Sequence, residues 1–343
     1  MSLIDVEGIG PLDPADPRAR VRGPAVSAPP RRPGSVRRTT TIDMRWADGW
    51  GSRLTLDGRG RDLVTTGRDG VAIARSSMRV TVATDRRVEA ITIATAPDRP
   101  GIGDLVGERA GSGFRRALSA KVGGVTGADP VDLMLDDIPG ATLISGFAFA
   151  QWYPIESLLA PGAAGTARQR DMTGICTGFM PGSSGLAPDG TSRWTHRTRQ
   201  VEPLEANDDP LAWHDIEQIS ELSMRRARRI DVWRDGRDVW VDSMFQDSST
   251  RPVGGRIAVH EYGLTARIDA ESMTLVEVTP EPHVLPYAEC PLAVFGVDGL
   301  IGSPIANLRT TVLERLQGVA GCTHLNDALR ALADVGHLVS QIR

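Results

Sequence analysis

Tyr262-Gly263-Leu264-Thr265-Ala266-Arg267-Ile268-Asp269 alternates apolar and polar side chains and runs into a turn at its aspartate. Period-two alternation of this kind marks a strand with one face buried and one solvated. Far upstream, Met78-Arg79-Val80-Thr81-Val82-Ala83-Thr84-Asp85 alternates in the same way and ends on the same residue. Returning strands follow each stretch, Leu275-Val276-Glu277-Val278 in one case and Val88-Glu89-Ala90-Ile91-Thr92-Ile93 in the other. Working further outward, Arg225-Arg226 with Ile230-Asp231-Val232 answers Arg37-Arg38 with Ile42-Asp43-Met44, and Trp240 and Trp50 each open an alternating stretch.

Both halves then turn helical. Ser303-Pro304 places a capping residue before a proline at the first helical position. Ile305, Leu308, Val312 and Leu316 form one apolar face, and Gly318 stops the helix. Leu325, Ala328, Leu329, Leu332 and Val335 resume helical spacing, with weaker counterparts around 105–120 and 131–138. The expected class is therefore α+β: a tandem repeat of two similar units, each an antiparallel sheet of three to four strands followed by helices. The expected organisation is a disordered Pro/Arg-rich tail over 1–34, a degenerate first copy over 35–139, a connecting segment over 140–224 and a second copy over 225–343. The connecting segment opens with an apolar, helical stretch from Leu143 to Leu159 and continues as a Gly- and Pro-rich loop around Cys176.

The 343 residues are 41% hydrophobic and 24% charged, with a formal net charge of -4. That balance is that of a globular protein without an electrostatic call to nucleic acid or an anionic membrane. Lys121 is the only lysine. No apolar run in the sequence approaches the roughly 18 residues of a membrane span, and the N-terminus has no cationic start followed by an apolar core. Three cysteines do not make a disulfide framework, so cytoplasmic residence is expected.

One difference between the halves points to chemistry. Gly321-Cys322-Thr323-His324-Leu325 stands where the first half has Gly127-Ala128-Asp129-Pro130-Val131. The second half also concentrates His260-Glu261 and Cys290-Pro291. His260, Cys290, Cys322 and His324 are a donor set suited to zinc or iron, with Glu261 as an oxygen ligand or base. Backbone N–H groups at the mouth of the last helix favour a Cys322 thiolate. A nucleophilic Cys–His pair is the competing use, with His260 a better partner for Cys322 than His324. Cys176 either reaches this site from the connecting segment or is structural. Read singly, each cysteine is a small buried apolar residue and each histidine a satisfied packing group. His214 reads as a packing residue, and Arg225-Arg226 with Arg228-Arg229 as a solvated strand edge or an anion grip. Gly182-Ser183-Ser184-Gly185 lacks the lysine of a phosphate loop, and no dinucleotide-binding glycine motif follows a strand.

The stretch from Arg228 to Val335 resembles the uncharacterised bacterial family known as domain of unknown function 2889. The likeness rests on the Arg-Arg-Ile-Asp opening, the Trp240 strand, His260-Glu261-Tyr262, Tyr287-Ala288-Glu289-Cys290-Pro291 and Gly321-Cys322-Thr323-His324-Leu325. A fainter likeness is to the NifU-type iron–sulfur scaffold fold, whose ligand positions would fall at His260, Cys290, Cys322 and His324. A scaffold brings three cysteines, whereas this site has two unless Cys176 joins. The Leu-Pro-Pro-Val-Lys segment is also missing before Cys322, so the resemblance implies the architecture and not cluster assembly.

The expected function is a metal-dependent hydrolase or lyase acting on a small organic substrate, with Glu261 as acid/base and the segment around Cys176 as a lid. A metal or iron–sulfur carrier, and a purely structural or partner-binding protein, are the rival readings. No nucleic-acid or membrane partner is expected. A homo-oligomer is left open, with the two repeats forming an internal pseudo-dimer.

Overall fold

The computed structural model describes residues 4–6, 10–25, 28–94, 99–159, 171–193, 197–205 and 208–342. A small hairpin, β1 (Ile4–Val6) with β2 (Gly10–Leu12), precedes the main sheet. The N-terminal half then supplies β3 (Ser35–Trp46), β4 (Leu54–Thr65), β5 (Gly70–Val82) and β6 (Val88–Ala94). After the short β7 (Arg199–Val201), the C-terminal half supplies β8 (Met224–Asp235), β9 (Asp238–Thr250), β10 (Arg256–Asp269) and β11 (Thr274–Val284). These join edge to edge into one antiparallel sheet, ordered β11-β10-β9-β8-β3-β4-β5-β6, with β7 added against β10. The fold is thus mixed helix and strand around a single large sheet.

The two central strands, β3 and β8, pair from Ser35↔Trp233 to Met44↔Met224. Most of each is buried on both faces, unlike the half-solvated β5. One face carries the helices: α1 (Phe114–Val122), α2 (Pro130–Ile144), α5 (Leu308–Arg315), α6 (Thr323–Arg330) and α7 (Val335–Ser340). The shorter α3 (Phe149–Trp152) and α4 (Ile155–Leu159) follow α2. Residues Ile305, Leu308, Val312, Leu316, Leu325, Leu329, Leu332 and Val335 are all buried against the C-terminal strands, as their helical spacing requires.

The opposite face is covered by chain without regular structure. Arg37 reaches the carbonyls of Ala212 and Pro29, Arg225 that of Glu217, and His214 packs on Thr39 and Thr41. The expected mobile tail is, in its described residues, part of this cover. Arg22 and Gly23 donate backbone N–H groups to Pro282 and His283 of the edge strand β11, and Arg31 clamps Asp209 at 2.8 Å. Its residues bind through main-chain groups and arginine, which leave no apolar period to read.

Arg225, Arg226, Arg228 and Arg229 are likewise central and buried, not a solvated edge. Two apolar clusters lie on the helical face, one in each half, and buried ion pairs run between them. Arg38 donates to both oxygens of Asp62 (2.7 and 2.6 Å) and to Asp334 (2.7 Å). Arg226 does the same with Asp247 (2.9 and 3.0 Å) and with Asp327 (2.9 Å), while Arg228 holds Asp137 at 2.6 Å. Gly140 belongs to this seam, since a Cβ there would collide with the Arg226 guanidinium and Asp327. The proposed boundary at 139/140 falls inside α2.

The run Pro130–Trp152 is 23 residues long and holds an 18-residue window of mean hydropathy 1.2, enough by length and composition to cross a bilayer. Its most apolar window is 72% buried inside the protein, and Asp132, Asp136 and Asp137 on it are ion-paired. It is apolar because it is a core helix covered on nearly all sides.

Candidate functional site

Three elements converge on one buried cluster. Asp247 comes from β9, His260 from β10 and His324 from the first turn of α6. The register of β10 on β9 slips between Ala258 and His260, a bulge that sets His260 directly opposite Asp247. The two imidazoles stack at 3.4 Å between centroids and 15° between planes. His260 Nδ1 lies 3.9 Å and His324 Nε2 3.7 Å from the same Asp247 oxygen, Oδ2. Donor atoms of all three lie within 4.8 Å of one another, and all three residues are buried. His324 Nε2 has no hydrogen-bond partner among the described residues.

The electrostatics follow from burial. Desolvation, then the nearby Arg226 guanidinium, hold the His324 imidazole down to about 3, so it is neutral near pH 7 and able to donate a lone pair. Burial pushes the Asp247 carboxyl up, against the pull of Arg226.

The thiols gather beside this cluster without joining it. Cys322 is the residue before α6, Cys290 opens the 3-10 turn Cys290–Leu300, and Cys176 precedes the turn Thr177–Phe179. The connecting segment does approach: Thr177 donates to the Gly321 carbonyl, and a Cβ on Gly178 would press on the Cys290 sulfur. All three cysteines are free of disulfides. Burial works against the expected thiolate at Cys322. Burial pushes the thiol up, outweighing the Leu325 and His324 backbone N–H groups and the Tyr262 hydroxyl that face it. Burial raises Cys176 to about 12 and Cys290 well above its ordinary value.

The structure therefore brings together His260 and His324 from the expected set, and sets Cys290, Cys322 and Cys176 to one side. Glu261 occupies the next position along β10, so its side chain takes the opposite face. There it accepts from the Ala25 backbone N–H (2.6 Å) and from Gln246 (3.0 Å), away from both histidines. Asp247 escaped sequence reading. In Gln246-Asp247-Ser248-Ser249 it looks like surface polarity, and its one signal is a strand position opposite Arg226.

With fold and cluster in view, the chain is an α+β protein built on one large antiparallel sheet. The model of the family described as "Protein of unknown function (DUF2889)" matches residues 224–337, which include Asp247, His260, Cys290, Cys322 and His324 but not Cys176. Comparison with curated proteins gives no match. A solved structure titled "Crystal structure of lipopolysaccharide binding protein" aligns with 79% of this chain and 90% of its own at 9% identity, with a TM-score of 0.13. A likeness at that level carries no argument.

Proposed function

We propose that the protein is a metal-dependent enzyme whose C-terminal half holds one zinc or iron ion on His260, His324 and Asp247. The observation that carries this reading is the buried meeting of two imidazoles and a carboxylate from three separate elements. Separations of 3.7 and 3.9 Å between the histidine nitrogens and Asp247 Oδ2 suit a cation about 2.0–2.2 Å from each donor. Two histidines and one carboxylate leave coordination positions for water and substrate, which fits hydrolysis or a lyase step on a small organic molecule. Arg226 keeps Asp327 and Asp137 as partners if Asp247 turns to the metal. Glu261 has no place in this mechanism, whereas the Cys176 segment keeps the position of a lid.

Two further parts of the reading concern the whole chain. We infer that the halves arose by duplication and meet as an internal pseudo-dimer. In support, Arg37 donates to Asp231 (2.6 Å) while Arg225 donates to Asp43 (2.6 Å), a reciprocal exchange across β3 and β8. Unpaired thiols suit the reducing cytoplasm.

A purely structural reading draws on the two-pronged Arg226–Asp247 pair, which already balances the carboxylate. Metal analysis of freshly purified protein separates the two. About one zinc or iron per chain in the wild type, lost in both His324→Ala and His260→Gln, supports the metal site. A wild type that neither carries nor takes up either ion leaves the cluster as core packing.

A further inference from the structure

A second site lies across the sheet from the histidines. Arg61 on β4 and Arg75 on β5 are direct cross-strand partners. Like charges placed opposite each other destabilise a sheet unless something neutralises them. Among the described residues neither arginine has a carboxylate partner, although Arg61 is only 3% exposed. One Arg61 nitrogen donates to the Leu211 carbonyl at 2.7 Å, and its Nε is buried with no acceptor among the described residues. Burial, followed by the neighbouring guanidiniums of Arg75, Arg31 and Arg37, pulls Arg61 down to about 10.

These two arginines line an open cavity of about 360 Å³ with Trp213, His214, Pro210 and Ile216. Trp213, which lines the cavity, adds a second buried donor, Nε1, without an acceptor among the described residues. Glu205, Asp209 and Asp215 also line the cavity, but Arg31 clamps Asp209, Gln218 donates to Glu205, and Asp215 is exposed. His214 spends both ring nitrogens on Thr39 and Thr41, so it offers nothing further. Orphaned donors, with an arginine pair that has no carboxylate partner among the described residues, together call for an oxyanion. The volume exceeds that of a bare ion, and Trp213, Pro210 and Ile216 supply an apolar wall.

We propose that this cavity binds a small organic oxyanion, its carboxylate or phosphate group on Arg61, Arg75 and Trp213 Nε1 and its apolar part against Trp213. The site is independent of the metal cluster, which lies on the helical face.

Titration of the full chain with phenyl phosphate and, separately, benzoate, at constant ionic strength set with sodium chloride, tests it. The readout is the indole N–H resonance of Trp213, assigned with Trp213→Phe. A saturable shift is expected with at least one ligand, and which one responds identifies the anionic group. Arg75→Gln, at an exposed position, should weaken binding about tenfold, and Arg61→Gln should abolish it. If Arg61→Gln fails to fold, Arg75→Gln decides alone. Absence of a saturable shift with both ligands, or unchanged affinity in Arg75→Gln, overturns the proposal.

Discussion

The turns that open α2 and α6 occupy comparable places and are built on different principles. Before α2, Asp129 accepts a hydrogen bond from the Val131 N–H at 2.8 Å, and Pro130 takes the first helical position. Before α6, the same place holds Cys322, with no side-chain cap. One turn is made for helix stability, and the other gives up a cap to put a thiol and an imidazole at a buried junction. The missing cap is shared with α1, α5 and α7, so what sets the α6 turn apart is the pair of residues it places at a buried junction.

The sharpest way to break this contrast is to remove the arginine on each side. Arg38→Met strands Asp62, while Asp334 keeps Arg309; Arg226→Met strands Asp247, while Asp137 keeps Arg228 and Asp327 keeps Arg115. Each should cost about 3–5 kcal/mol in urea unfolding, because orphaned buried charges are the expensive outcome. Comparable losses would make the halves equal as scaffold and confine their difference to the turns. A near-neutral Arg226→Met would instead show Asp247 disposed toward another cation.

Gly140→Ala comes next, at about 1–3 kcal/mol, since its methyl group must displace the Arg226 guanidinium. The same assay reads it, and an unchanged midpoint would mean that the seam yields. A pH series probes the other face. Burial, then Arg61 and Arg225, hold His214 down to about 3 against an ordinary 6.5. Its folded value is depressed, so its contribution is complete above 6.5 and is lost as pH falls toward 3. Between pH 6.5 and 5 the wild type should lose roughly 2 kcal/mol that His214→Asn does not lose. Parallel pH profiles would show that protonation of His214 is not what destabilises the fold. Smallest of all, Asp129→Ala should cost about 1–2 kcal/mol, from the lost cap and the lost bond to the Ser76 hydroxyl, measured as a shift in Tm. No loss would remove the contrast between the two turns.

Much of the frame was legible because it depends on local periodicity. The alternation of Tyr262–Asp269 falls within β10 and that of Met78–Val82 within β5, and the spacing of Ile305, Leu308, Val312 and Leu316 marks a buried face. The arginine rows were misread for a physical reason. A period-two pattern assigns charge to solvent, yet these charges are buried because each meets an aspartate from another part of the chain. Asp247 is silent in its own neighbourhood and speaks only once strand register is known. His260 and His324 were legible by residue type, but whether the thiols or Asp247 would stand closer depended on a bulge that no spacing records.

The β3–β8 junction also constrains how this molecule comes into being. The ion pairs that straddle it link residues 194 and 182 positions apart, Arg37 with Asp231 and Arg225 with Asp43. Closing so long a loop is slow, because its entropy is lost before the contacts form. Until that moment the nascent N-terminal half shows an open edge along β3, with Arg37 and Asp43 lacking the partners they take from β8. Stopped-flow refolding should therefore end on a late phase, abolished when Arg37 and Arg225 are replaced together. During synthesis the first half must wait for the second to cover that edge.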